Sequence, residues 1–151
     1  MARETERKFL LRDDSWRASA TDPVRIIQTY LNPEPGATVR LRIAGSKAFI
    51  TVKSINRGSE RGEWEYEIPE TDAREMMAEC KTTPVIDKTR WHDGRWEIDE
   101  YHGCLEGLVV AEIELDSPDE DISLPSYIGR EVTGNPAYYN STLALTGTIP
   151  E

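Results

Sequence analysis

Charged and polar side chains recur at every second position through nearly every strand-length segment of this chain. In extended backbone, residues i, i+2 and i+4 project to one face. Glu4, Glu6 and Lys8 therefore share a face, as do Gln28 and Tyr30. Arg40 and Arg42 oppose Val39, Leu41 and Ile43, and Thr51 and Lys53 oppose Ile50 and Val52. Glu63, Glu65 and Glu67 oppose Trp64, Tyr66 and Ile68, and Lys88 and Arg90 share a further face. Glu97, Asp99 and Tyr101 oppose Trp96 and Ile98, while Glu112 and Glu114 oppose Ala111, Ile113 and Leu115. A single strand of this kind is the ordinary one-sided strand of an antiparallel sheet, its charged face solvated. Eight together permit a different arrangement, with apolar faces packed outward and charged faces around a common interior.

Breakers separate the segments. Period-two patterning predicts strands over 4–11, 24–31, 38–44, 48–54, 63–68, 85–92, 95–101 and 108–115. Pro33-Glu34-Pro35-Gly36 and Gly45-Ser46 supply turns, Asn56–Gly62 reads as a polar loop, and His92-Asp93-Gly94 as a hairpin turn. Residues 71–80 read as a short helix, with Thr71 as N-cap and Asp72 and Glu75 in the first turn. Residues 123–145 are expected to be helical in two pieces, broken at Gly134-Asn135-Pro136. The fold class is α+β, mainly antiparallel β, and eight strands suffice to close a small barrel. With 151 residues, one domain spanning 1–151 is expected.

A closed interior would hold Lys8, Arg40, Arg42, Lys53, Lys88 and Arg90 beside Glu4, Glu6, Asp99, Glu112 and Glu114. Such charges are costly to enclose unless paired, hydrated or bound to a ligand. A polyphosphate suits them, its oxygens meeting the Lys and Arg groups while a hard divalent cation meets the carboxylates. The net charge of −10 argues against nucleic acid as a partner. No apolar run approaches a membrane span. Two cysteines, Cys80 and Cys104, form no disulfide framework, so a reducing, cytoplasmic setting is expected and both are read as buried or partly buried.

These residues resemble the CYTH superfamily, the triphosphate tunnel metalloenzymes. Glu4-Thr5-Glu6-Arg7-Lys8 matches its ExExK pattern. The Arg40-x-Arg42 strand, Lys53, the glutamate-rich fifth strand, Lys88-Thr89-Arg90, Asp99 and Glu112-x-Glu114 then follow in the family's order. Gly129–Gly134 and Tyr139–Leu143 resemble the C-terminal segment of short bacterial members. The resemblance implies an eight-stranded closed barrel with outer helices and hydrolysis of inorganic triphosphate to pyrophosphate and phosphate. It implies Mg²⁺ or Mn²⁺ on Glu4, Glu6, Asp99, Glu112 and Glu114, and substrate contacts from Lys8, Arg40, Arg42, Lys53, Lys88 and Arg90. Lys88, Glu112 and Glu114 become the catalytic candidates, with Tyr30, Glu63, Glu65 and Glu67 supporting them from behind. Tyr30 and Tyr101 suit either stacking or hydrogen bonding inside. Other readings on the same fold are a nucleoside or thiamine triphosphatase, a class IV-type adenylyl cyclase, or a polyphosphate-binding module without catalysis. Either a monomer or a homodimer is compatible with the pattern.

Overall fold

The computed structural model describes residues 3–32, 36–55 and 59–151; the Pro33-Glu34-Pro35 turn and part of the 56–62 loop lie outside these residues. Nine strands form among the described residues: β1 Arg3–Leu11, β2 Thr21–Asn32, β3 Thr38–Ala44, β4 Lys47–Lys53, β5 Glu60–Ile68, β6 Ile86–Asp93, β7 Trp96–Tyr101, β8 Val109–Glu114 and β9 Ile128–Glu131. Two α-helices accompany them, α1 Glu70–Glu79 and α2 Asn140–Thr146, with short 3-10 turns at Asp14–Ala18, Gly103–Leu105 and Pro136–Tyr138.

The strands run antiparallel in the order β5-β4-β3-β2-β6-β7-β8-β1, and β1 pairs back onto β5 to close an eight-stranded barrel. Closure is local. Only Arg3, Glu4 and Thr5 pair with β5, whereas Glu6–Leu10 pair with β8 on the opposite edge of β1. The hairpin turns behave as their residues require, Gly45 and Gly94 taking φ +59, a left-handed conformation that side chains disfavour.

The alternation fixes which side of each strand faces in. Phe9, Trp96, Ile98, Ala111 and Ile113 point outward and bury against Trp16, Tyr127 and Ile128. Phe9 and Trp96 meet edge to face at 5.6 Å, and Trp16 and Trp91 at 6.2 Å. On the far side Ala73 of α1 covers Ile43 and Ala48. An apolar group of Tyr30, Ile86, Tyr101 and Val110 packs with Leu143 and Ala144 of α2, which lies against β2 and β6.

The C-terminal region departs from expectation. Instead of two helices over 123–145, residues 128–131 form β9, and only 140–146 make an α-helix. Beyond its short pairing with β5, β1 would present an open edge; β9 takes it, with Val132 N donating to Lys8 O (2.8 Å) and Arg12 N to Tyr127 O (2.7 Å). Helix α1 begins at Glu70 rather than Thr71, behind Pro69, whose φ of −58 suits helix entry without a side-chain cap. Cys80 and Cys104 are both exposed, contrary to expectation, because each sits just past or within a surface turn. No helix among the described residues is long and apolar enough to cross a membrane.

Candidate active site

The barrel encloses a cavity of about 170 Å³, the space of roughly five or six waters. Glu4, Glu6, Lys8, Tyr30, Arg40, Arg42, Lys53, Glu63, Glu65, Arg90, Glu112 and Glu114 all line it. The structure thus brings together most of the residues that the alternation placed on one face.

The basic side chains are only partly matched by carboxylates. Arg40 donates to Thr51 Oγ1 and Glu65 Oε2, both at 3.2 Å, but its buried Nε has no hydrogen-bond partner among the described residues. Arg42 donates to Gln28 Oε1 at 2.9 Å and has no carboxylate partner among the described residues. Burial first, then the neighbouring Arg40 and Arg90 guanidiniums, push Arg42 down to about 9, the mark of a crowded cation without a counter-charge. A guanidinium keeps its proton regardless, so an anion is what relieves it.

Opposite lies the acidic group. Lys53 Nζ is 2.9 Å from Glu4 Oε2 and 3.1 Å from Glu63 Oε2, and Lys8 Nζ is 3.8 Å from Glu112 Oε1. Burial would raise all of these carboxylates. Against it, Lys53 and hydrogen bonds from Glu63 and Glu6 hold Glu4 well below the usual range, and Lys8 brings Glu112 down to about 2. Glu6 goes the other way: burial, then Glu112 and Glu4, push it well above the ordinary value. These carboxylates, of which Glu6 needs a proton to sit beside its neighbours, supply the oxygen-donor chemistry that a hard divalent cation takes. Lys8, Lys53 and Arg61 interleave with them, and no three carboxylates among the described residues converge into a coordination cluster.

Lys88 and Asp99 occupy a different level. Neither lines the cavity, and their side chains are 0% and 1% exposed. Lys88 Nζ donates to Asp99 Oδ2 at 2.7 Å, while Arg90 grips the same carboxylate through Nε (2.8 Å) and Nη2 (2.9 Å). Burial, opposed by Asp99 and reinforced by Arg90 and Arg42, pushes Lys88 down to about 7. Asp99, despite burial, is held far below the usual range by Arg90 and Lys88. Glu67 is exposed and outside the cavity lining. Tyr101 donates to Asn140 Oδ1, and Tyr30 accepts from Gln28 Nε2 at 3.3 Å, so both tyrosines hydrogen-bond within the barrel.

The cavity also contains residues that the sequence reading did not assign. Glu97 pairs with Arg90 at 3.5 Å, and Tyr139, Asn140 and Ser141 enter from the start of α2. Arg61 lines the cavity two residues before Glu63. Carrying the β5 alternation back past Gly62 would have placed it on the inner face.

Comparison with known proteins agrees with this architecture. The CYTH domain matches residues 2–143. An inorganic triphosphatase of Acetivibrio thermocellus is 41% identical over 147 residues, covering 95% of this chain and 94% of that protein. One of Nitrosomonas europaea is 34% identical over 151 residues, covering 95% and 97%. The crystal structure of an inorganic triphosphatase superposes with a TM-score of 0.64 at 31% identity, covering 100% of this chain and 99% of that one. The ExExK strand, the closed eight-stranded barrel and its two-signed interior are accounted for together: the chain belongs to the CYTH domain family.

Proposed function

We propose that this protein is a metal-dependent phosphohydrolase that cleaves inorganic triphosphate to pyrophosphate and phosphate inside the barrel. The observation that carries this reading is the divided cavity, in which Arg42, without a carboxylate partner among the described residues, stands with Arg40 and Arg90 in one lining with the carboxylates Glu4, Glu6, Glu112 and Glu114. Simple anion binding gains nothing from so many carboxylates in the cavity lining, so a non-catalytic module is the weaker reading.

The arginines and Lys8 bind and orient the phosphate chain, and their charge offsets the negative charge that grows on the leaving phosphoryl oxygens. Glu4, Glu6, Glu112 and Glu114 are the residues that would hold Mg²⁺ or Mn²⁺, which supplies Lewis-acid polarisation of the phosphoryl oxygens. Burial, then Glu4 and Glu97, raise the Glu114 carboxylate, and a raised carboxylate at the cavity rim suits it to accept a proton from the attacking water. Lys88 acts from beneath: by gripping Asp99, it fixes the carboxylate that aims Arg90 into the cavity. Asp99, with Lys88 on Oδ2 and Arg90 on both oxygens, serves the same positioning role. Glu63 and Glu65 hold Lys53 and Arg40 in place.

A free phosphate chain is favoured over a nucleotide because, among the described residues, Tyr30 and Tyr139 are the only aromatic ones lining the cavity. A substrate panel with Mg²⁺ or Mn²⁺ tests this, comparing triphosphate, ATP, thiamine triphosphate and longer polyphosphate. The reading expects the highest kcat/KM for triphosphate; a higher value for ATP or thiamine triphosphate would replace it with the nucleoside or thiamine reading.

A further inference from the structure

Arg61 stands at the acidic end of the cavity, with Glu4 and Lys8 as neighbours, whereas Arg42 sits with Arg40 and Arg90. Its side chain is 17% exposed, and its Nε is buried without a partner among the described residues. The nearest carboxylate oxygen is Glu4 Oε2 at 3.6 Å, which Lys53 Nζ already holds at 2.9 Å. At that spacing the two groups attract but do not hydrogen-bond. The Arg61 Nε–H is thus a buried donor without an acceptor, a cost that a phosphoryl oxygen placed against it would relieve.

Two further contacts define this end. The Arg61 guanidinium lies 6.0 Å from the Tyr139 ring centroid, which limits the orientations of its plane. Arg61 and Tyr139 also border a side recess of about 10 Å³ under the Val132–Gly134 turn, where β1 leaves β5 and takes up β9. That volume holds one water at most. A phosphoryl group does not fit that recess, so one that reaches Arg61 stays on the main-cavity side of it.

We infer that Arg61 is a specificity-determining residue: it holds the terminal phosphoryl group at the acidic end of the tunnel, and so sets three phosphates as the preferred chain length. The inference rests on the triphosphatase reading above. Pyrophosphate, shorter by one phosphoryl group, settles among Arg40, Arg42 and Arg90, where cations are densest, and does not reach Arg61. Triphosphate spans both ends. The guanidinium supplies a charge-assisted hydrogen bond to that third group, a contact whose loss corresponds to roughly a 10- to 100-fold change in affinity.

The test is titration calorimetry of triphosphate and pyrophosphate into chelator-treated wild-type, Arg61→Gln and Arg61→Lys proteins, with steady-state kinetics in Mg²⁺ alongside. Arg61→Gln should weaken triphosphate binding roughly 10- to 100-fold, leave pyrophosphate within about threefold, and raise KM for triphosphate more than it lowers kcat. Arg61→Lys should show the same selectivity at smaller amplitude, because the charge remains while the directed Nε–H is lost. Equal weakening of both ligands, or unchanged triphosphate affinity in both variants, would overturn the assignment. Should Arg61→Gln fail to fold, Arg61→Lys alone decides between selective and unselective loss. Wild-type protein that does not hydrolyse triphosphate would defeat the functional reading, while the chelated binding data would still score Arg61 separately.

Discussion

Asp99→Ala isolates the element on which the floor of the site depends. Asp99 is 1% exposed and takes one hydrogen bond from Lys88 and two from Arg90. Removing it takes the acceptor from both basic groups, but unequally. Arg90 is 14% exposed, lines the cavity and has Glu97 at 3.5 Å, so it can turn toward another partner or water. Lys88, at 0%, cannot reach water. Lys88 gives up its proton at pH 7.5 and is left a buried amine without its acceptor, a cost of about 1–3 kcal/mol. For a chain of this size that lowers Tm by roughly 2–12 °C. Lys88→Met removes the other partner with a different outcome. Burial already pushes Lys88 down to about 7, and Asp99 keeps both hydrogen bonds from Arg90, so the loss should stay within about 1 kcal/mol. The double variant should then be more stable than Asp99→Ala alone. Urea unfolding at pH 7.5 with chelator, followed by tryptophan fluorescence, measures all three. Equal losses in the two single variants, or a larger loss in Lys88→Met, would refute the claim that Asp99 is the keystone of this pair.

The remaining predictions concern the cavity itself. Arg42→Ala removes the cation without a carboxylate partner and should lower kcat/KM for triphosphate by roughly 10- to 100-fold with a weaker Kd; Glu114→Gln should lower kcat by about 10²–10⁴ while Kd changes little, and indistinguishable profiles for the two would contradict the division of roles. Glu6 is raised by burial, Glu112 and Glu4, so its contribution to stability is present below its ordinary value of 4.5 and is lost as pH rises through its folded value. In chelator, Glu6→Gln should therefore gain in Tm relative to wild type as pH increases from 4 to 8; a difference that stays flat across this range would show that Glu6 is not held protonated.

Much of this site was legible because extended backbone has a period of two. Once Glu4, Arg40, Arg42, Lys53 and Glu112 fall on one face of closing strands, they must meet inside the barrel. Period two says nothing, however, of depth along the barrel axis. That is why Lys88 and Asp99, correctly on the inner face, lie beneath the cavity rather than on it, and why Glu67 lies outside. Arg61 was hidden by Gly62 and the polar stretch before it, which read as loop although β5 begins at Glu60. β9 carries too few residues for a pattern; an unfilled edge of β1, a tertiary fact, makes it a strand.

The central claim is that the divided cavity cuts one terminal anhydride of a free triphosphate. A ³¹P NMR time course of inorganic triphosphate with the protein and Mg²⁺, repeated in excess chelator, tests it most directly. Triphosphate should disappear as orthophosphate and pyrophosphate rise in equal amounts, the pyrophosphate should persist, and chelator should stop the conversion. A spectrum in which triphosphate is untouched with Mg²⁺, or is converted wholly to orthophosphate without pyrophosphate accumulating, would contradict the account.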